Sequence, residues 1–281
     1  MKLALILFFY LGAARAQDFS LVLPSSATFD VSRDSNQSIN NGLQLDVGTA
    51  KGYRVLGGVS SSRSRDSADT YHPRGLMLGV GTDPIDIWSF TLQYNYWGIP
   101  QEIFSNSVGL TTVYMGLGSQ LSLTPRFKKI HGEINGPVRT TEFNVNSFGL
   151  LFDYVLDLSQ VWSWSLFGEG NQYSPEIALL QTNIDRIMIL APNVGEMTNS
   201  FVKNSVGTAI DYRIKKLTLG LDLKTSTSVI SNTRFRTVSI SAHKKLTQSF
   251  GLGGTLGNTR QVEAQVDPTR FLSISISYFW P

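Results

Sequence analysis

The chain alternates apolar and polar residues over one segment after another. Near the C-terminus, Leu272, Ile274, Ile276, Tyr278 and Trp280 fall on one side of the alternation, and Ser273, Ser275 and Ser277 on the other. Leu217, Leu219, Leu221 and Leu223 alternate with Thr218, Gly220, Asp222 and Lys224. Trp88, Phe90, Leu92, Tyr94 and Tyr96 alternate with Ser89, Thr91, Gln93 and Asn95. Successive side chains of an extended strand point to opposite faces, so a period of two predicts strands with one apolar and one polar face. Such segments cover 26–33, 41–49, 52–63, 73–82, 86–97, 106–115, 119–129, 139–156, 160–171, 202–214, 216–228, 233–244, 248–258 and 269–280. The links between them alternate too. Short ones (50–51, 83–85, 157–160, 215, 245–247) interleave with longer ones (64–72, 98–105, 130–138, 172–201, 259–268). This predicts fourteen strands, with both chain ends on the side of the short links. Gly116–Gly118 reads either as a turn or as a bend in one long strand, and twelve strands is the alternative count. The apolar phase of 139–156 switches between Val145 and Phe148, which predicts a β-bulge near Asn146 and Ser147.

Strands of this kind fit a soluble sandwich, whose apolar faces meet in a core, or a membrane barrel, whose apolar face meets lipid. Three features favour the barrel. The polar faces carry Gly, Ser and Thr with isolated charges of both signs. The apolar faces end in aromatic residues such as Trp88, Tyr96, Trp162, Tyr278 and Trp280, as interfacial girdles require. The segments are also long enough to cross a bilayer as tilted strands, which takes roughly 9–11 residues. Composition agrees: charged residues make up 16% of the chain, against about 25% in soluble domains. After the first fifteen positions no apolar run approaches the roughly 20 residues of a membrane helix. The predicted fold is all-β, a single transmembrane antiparallel up-and-down barrel over 17–281.

Residues 1–16 read as a leader. Lys2 precedes the apolar run Leu3–Leu11, and Ala14 and Ala16 present small residues for cleavage before Gln17, the pattern of a secretory signal peptide. The absence of cysteine excludes disulfides, Cys-ligated zinc and a thiol nucleophile. The formal charge of +3 contains no basic stripe of the kind that nucleic acid requires.

Leu272, Ile274, Ile276, Tyr278, Phe279 and Trp280 resemble the assembly signal of Gram-negative outer-membrane proteins, with Pro281 as a departure after the terminal aromatic. The resemblance implies an outer-membrane location, contact with outer-membrane lipids, and recognition of Leu272, Ile274, Ile276, Tyr278 and Trp280 by the barrel-assembly machinery after delivery by periplasmic chaperones. In size and strand count the chain resembles small porins and channels of twelve or fourteen strands, which implies a monomer.

No residue pattern predicts catalysis. None of His72, His131 and His243 is followed by the Ser and Asn that barrel lipases carry. Asp66, Asp69 and His72 gather in a Ser/Asp-rich outer loop that reads as solvated surface. No spacing predicts a metal or a cofactor. The alternation instead assigns charged residues to the lumen: Asp46, Arg54, Arg126, Lys128, Asp153, Glu169, Asp211, Arg213, Asp222 and Lys224, with His243 beside them. Arg213, Asp211 and Asp222 read as an ion-pair network in the wall. Segment 172–201 is apolar for an outer loop, with Ile177–Leu180 and Ile187–Ala191. It either folds inward, caps the rim, offers a greasy ligand surface or extends the strands above the membrane. The leading expectation is a passive channel for small hydrophilic solutes or ions. The alternatives are a transporter of hydrophobic compounds and a closed structural or adhesive barrel.

Overall fold

The computed structural model describes residues 24–35, 37–65, 70–99, 103–135, 140–178, 201–262 and 267–280. The expected leader over 1–16, Asp66, Asp69 and the middle of 172–201 lie outside them. The strands are β1 (Ser25–Asp34), β2 (Ile39–Gly48), β3 (Tyr53–Arg65), the two-residue β4 (Thr70–Tyr71), β5 (Arg74–Thr82), β6 (Trp88–Ile99), β7 (Ile103–Gly116), β8 (Ser119–Asn135), β9 (Thr140–Asp157), β10 (Trp162–Tyr173), β11 (Val202–Ile214), β12 (Leu217–Ser228), β13 (Arg234–Lys245), β14 (Phe250–Gln261) and β15 (Thr269–Trp280). Apart from β4, which pairs only with the end of β3, each strand pairs antiparallel with its neighbours in sequence, and β1 pairs with β15 from Ser25↔Trp280 to Asp34↔Phe271. The result is a closed up-and-down barrel of fourteen strands. Closure leaves no unpaired edge, a condition for placing a sheet in hydrocarbon.

Parity along each strand sets inside and outside. Val55, Leu78, Leu92, Phe127, Leu221 and Ile274 belong to an outer belt of exposed apolar side chains. In water so large a patch would drive association, whereas hydrocarbon matches it. At the end with the short turns, outward rings pack in pairs: Trp88 with Tyr114 at 5.1 Å, Trp162 with Tyr212 at 4.5 Å and Phe250 with Tyr278 at 5.0 Å. At the loop end, Tyr96 meets Phe104 at 6.1 Å. Two aromatic girdles thus bound the belt, as membrane interfaces favour.

The fourteen predicted segments all coincide with strands of the ring. Gly118, at φ +71°, closes a tight turn between β7 and β8, a backbone conformation that costs a side-chain-bearing residue about 1 kcal/mol or more. The twelve-strand count is thereby excluded. The expected bulge at Asn146 and Ser147 is absent, because β9 keeps one continuous register with both β8 and β10. What changes along β9 is the surroundings. Phe148 and Leu150 point outward into the belt, while Phe143 and Val145, on the other parity, are buried inside the loop-end mouth. The apolar face inverts where the strand leaves the membrane. The same inversion explains why β6, β7 and β8 run past their predicted ends to include Ile99, Ile103 and Ile130, all buried and inward. The register shift that does occur lies in β11, between Val202 and Asn204.

Candidate functional site: the lumen

All ten charged residues assigned to the lumen from the alternation lie on inward-facing positions, and so does His243. They form separate groups at different depths. At the turn end, Arg54 on β3 is buried and forks between two carboxylates. Its Nη2 lies 2.8 Å from Asp46 Oδ1 on β2, and its Nη1 donates to Asp83 Oδ1 at 2.9 Å in the turn after β5. Nη2 also donates to the Pro24 carbonyl at 3.2 Å, so one guanidinium ties the start of β1 to three neighbouring segments. Asp83 lies in a turn, where the alternation gives no facing, and only the folded structure connects it to Arg54.

Near the middle, Arg126 on β8 reaches over β9 to Glu169 on β10, with Nη2 to Oε2 at 2.7 Å. The strand between them carries Gly149 opposite Arg126, and a methyl there would collide with the Asn171 amide. A small residue is needed because polar side chains from both flanking strands lie across this point of the wall. Lys128 sits one inward position closer to the mouth and is buried.

Arg213 departs from expectation. It pairs with Asp157 at 3.2 Å and donates from Nη2 to Ser163 Oγ at 3.2 Å. It forms no ion pair with Asp211 or Asp222. The reason is position: the Arg213 N–H bonds the Val161 carbonyl, which sets the side chain beside the turn between β9 and β10, where Asp157 ends its strand. Asp211 lies deeper in the barrel, its carboxylate over Gly220.

Other lumenal carboxylates remain outside these ion pairs. Asp153, Asp211 and Asp222, and Asp30 on the inward parity of β1, have no basic group within 4.0 Å among the described residues. Lys224 acts on Asp222 through space without closing an ion pair.

The mouth holds a feature that the alternation does not name. Ile99, Ile103, Ile130, Phe143 and Val145 on the inner faces of β6–β9 join Phe201, Val229 and Ile230 in one buried apolar cluster, with Tyr173 and Ile177 packed against it. The members span β6 to the turn after β12, so the cluster bridges part of the opening. Each fully buried side chain of this size contributes about 2 kcal/mol. Both ends of segment 172–201 are fixed to it. Ser174 N–H donates to the Asn146 carbonyl at 2.8 Å, Tyr173 Oη donates to the Val202 carbonyl at 2.8 Å, and Val229 N–H donates to the Phe201 carbonyl at 2.8 Å. The phase switch at Val145 carries the sequence signal for this cluster, once it is read as a change of surroundings. Residues 179–200, where the rest of the apolar loop falls, lie outside the described part.

Leu272, Ile274, Ile276 and Tyr278 face outward and are exposed, on the strand that closes the ring with β1; Trp280 shares their parity. His131 lies on the outer face, its Nδ1 3.0 Å from Asn144 Oδ1.

No protein-family profile and no curated sequence matches the chain. Solved structures do. The chain is similar to the CymD monoaromatic hydrocarbon channel (TM-score 0.55, 8% identity, 92% of this chain and 87% of that one). It is also similar to the Acinetobacter baumannii outer membrane protein Omp33 (TM-score 0.51, 10% identity, 93% and 100%). At such identities the likeness concerns the fold: the chain has a closed antiparallel β-barrel like those of these two proteins.

Proposed function

We propose that the protein is a passive channel for small hydrophilic solutes, with a preference for cations. The observation that supports this reading is the unequal fate of the lumenal charges. Arg54, Arg126 and Arg213 are each held by carboxylates and Lys128 is buried, so outside the ion pairs the lumenal face carries Lys224 and, near the turn end, Lys245 against Asp30, Asp153, Asp211 and Asp222. Bound ion pairs stiffen the wall and present little net field, so the unpaired carboxylates dominate what a passing ion meets. A fourteen-strand ring is wider than the eight strands that side chains alone can fill, which leaves room for water. The apolar cluster at the mouth covers part of the approach from the loop end.

Transport of hydrophobic compounds, a reading to which CymD's description as a monoaromatic hydrocarbon channel gives a precedent, has weaker support. The apolar side chains at the mouth are packed on one another, with Ile130, Val145 and Phe201 at 0% exposure, and so present no open surface for a greasy ligand.

The test is planar-bilayer recording of the refolded barrel across a KCl gradient. The expected result is stable openings whose reversal potential reports cation preference, and a shift toward zero in D153N/D211N/D222N. An unchanged reversal potential in that variant removes these three carboxylates from selectivity. No openings at all leaves a closed structural barrel.

A further inference from the structure

Three arginines on the outer wall have no part in the lumen. Arg236 on β13, Arg260 on β14 and Arg270 on β15 share the parity of Val238, Ile240, Leu256 and Leu272, so they point away from the channel, and all three are exposed. Arg236 and Arg260 are direct cross-strand partners, and Arg270 pairs with Asn258, two residues before Arg260. Like charges set opposite one another on a sheet destabilise it unless an anion intervenes. Among the described residues no carboxylate lies within 4.0 Å of any of the three guanidinium groups.

Toward the membrane the same wall is concave. An open groove of about 1070 Å³ crosses β10–β15, with the arginines at its loop-end margin and a floor that includes Leu166, Val206, Leu223, Val238, Ile240 and Leu256. The two parts fit different portions of one molecule. The floor lies in the hydrocarbon belt and suits acyl chains. The guanidinium forks match phosphate oxygens bidentately, at a height just above that belt. A soluble anion would use only the margin, and a neutral lipid only the floor, leaving the arginine repulsion uncompensated. The end with the longer loops is the outer one in barrels of this type, so the lipid available is that of the outer leaflet.

We propose that this groove binds a phosphorylated, multiply acylated glycolipid of the outer leaflet, of the lipid A type. Its phosphates sit among Arg236, Arg260 and Arg270, and its chains lie along Val238, Ile240 and Leu256. The proposal rests on the outer wall alone and stands or falls independently of conduction through the lumen.

Native mass spectrometry of the refolded barrel, released from detergent with bisphosphorylated lipid A, with dephosphorylated lipid A or with phosphatidylethanolamine, tests it. The variant is R236Q/R260Q/R270Q, and the control is R63Q/K129Q, which removes exposed charge from the same rim elsewhere. Wild type and control should retain one bisphosphorylated lipid A, and the triple variant should hold it at least about tenfold more weakly. Dephosphorylated lipid A should bind wild type as weakly as the intact lipid binds the variant. The single exchange R260E should weaken retention in a barrel that keeps the other two arginines, should the triple variant fail to refold. Equal retention by the variants, equal binding of the dephosphorylated lipid, equal loss in the control, or a barrel dimer that covers the groove would overturn the proposal.

Discussion

Arg54 shows how one residue can hold a region of the wall. Its guanidinium and the Asp83 carboxylate are both largely buried, at 8% and 9% side-chain exposure, and Asp46 completes the fork. Removing one member of such a set leaves charges in a site that water reaches poorly. R54A should therefore lower the unfolding free energy in a urea titration of the refolded barrel by about 3 kcal/mol. R54K, which keeps the charge but not the fork, should recover part of it. A loss below about 1 kcal/mol would show that water screens the site as it does at a surface. Sequence reading puts Arg54 and Asp46 on the lumenal face because facing follows from parity alone. It does not join either to Asp83, since a turn residue has no parity. The same limit applies to Arg213, whose partner Asp157 ends a strand that sequence reading closes one residue earlier.

At the scale of strands, glycine and aromatic residues on the lumenal face act as matched pairs. Gly257 on β14 lies opposite Phe271 on β15, and any β-carbon at 257 would enter the Phe271 ring. Glycine is needed there because the ring lies flat over the neighbouring strand. G257V should destabilise the barrel by about 1–3 kcal/mol through overpacking. F271A should relieve most of that cost, so that the double variant is more stable than the sum of the single losses predicts. Additive losses would place the ring elsewhere. Strand β9 carries the other lesson at this scale. Its alternation is continuous, but the side of the wall that is apolar changes from outer at Phe148 to inner at Val145. A pattern of apolar positions reports which side chains avoid water, and either lipid or a packed mouth provides that shelter.

Closure is a property of the whole molecule. The first and last strands of the ring pair from Ser25↔Trp280 to Asp34↔Phe271, and Thr28 Oγ1 lies 3.0 Å from Ser277 Oγ across that seam. Because the chain has no cysteine, T28C/S277C would carry the only thiols. It should form an intramolecular disulfide on mild oxidation in detergent, read as faster migration on a denaturing gel after heating and reversed by reductant. Failure to cross-link in the folded, heat-modifiable form would mean that the ring is open at β1 and β15. Closure also explains why function is less legible than fold. Solute preference depends on which lumenal charges neutralise one another across strands, and pairs such as Arg126 with Glu169 are set by the radius and tilt of the ring.

The sequence by itself determined the strands and their antiparallel order, and it put the charged positions named for the lumen on one parity, while the turn at Gly118 decided between fourteen strands and twelve. Each of these depends on neighbours in sequence: period two, turn residues, and links of alternating length. The tertiary structure alone decided which charges pair and which stay free. It also decided that apolar residues of β6–β9 and of the segments flanking β11 and β12 converge in the mouth, and that arginines of three strands meet over one groove. Those outcomes depend on distances between residues far apart in the chain, which exist only once the sheet has curled and closed.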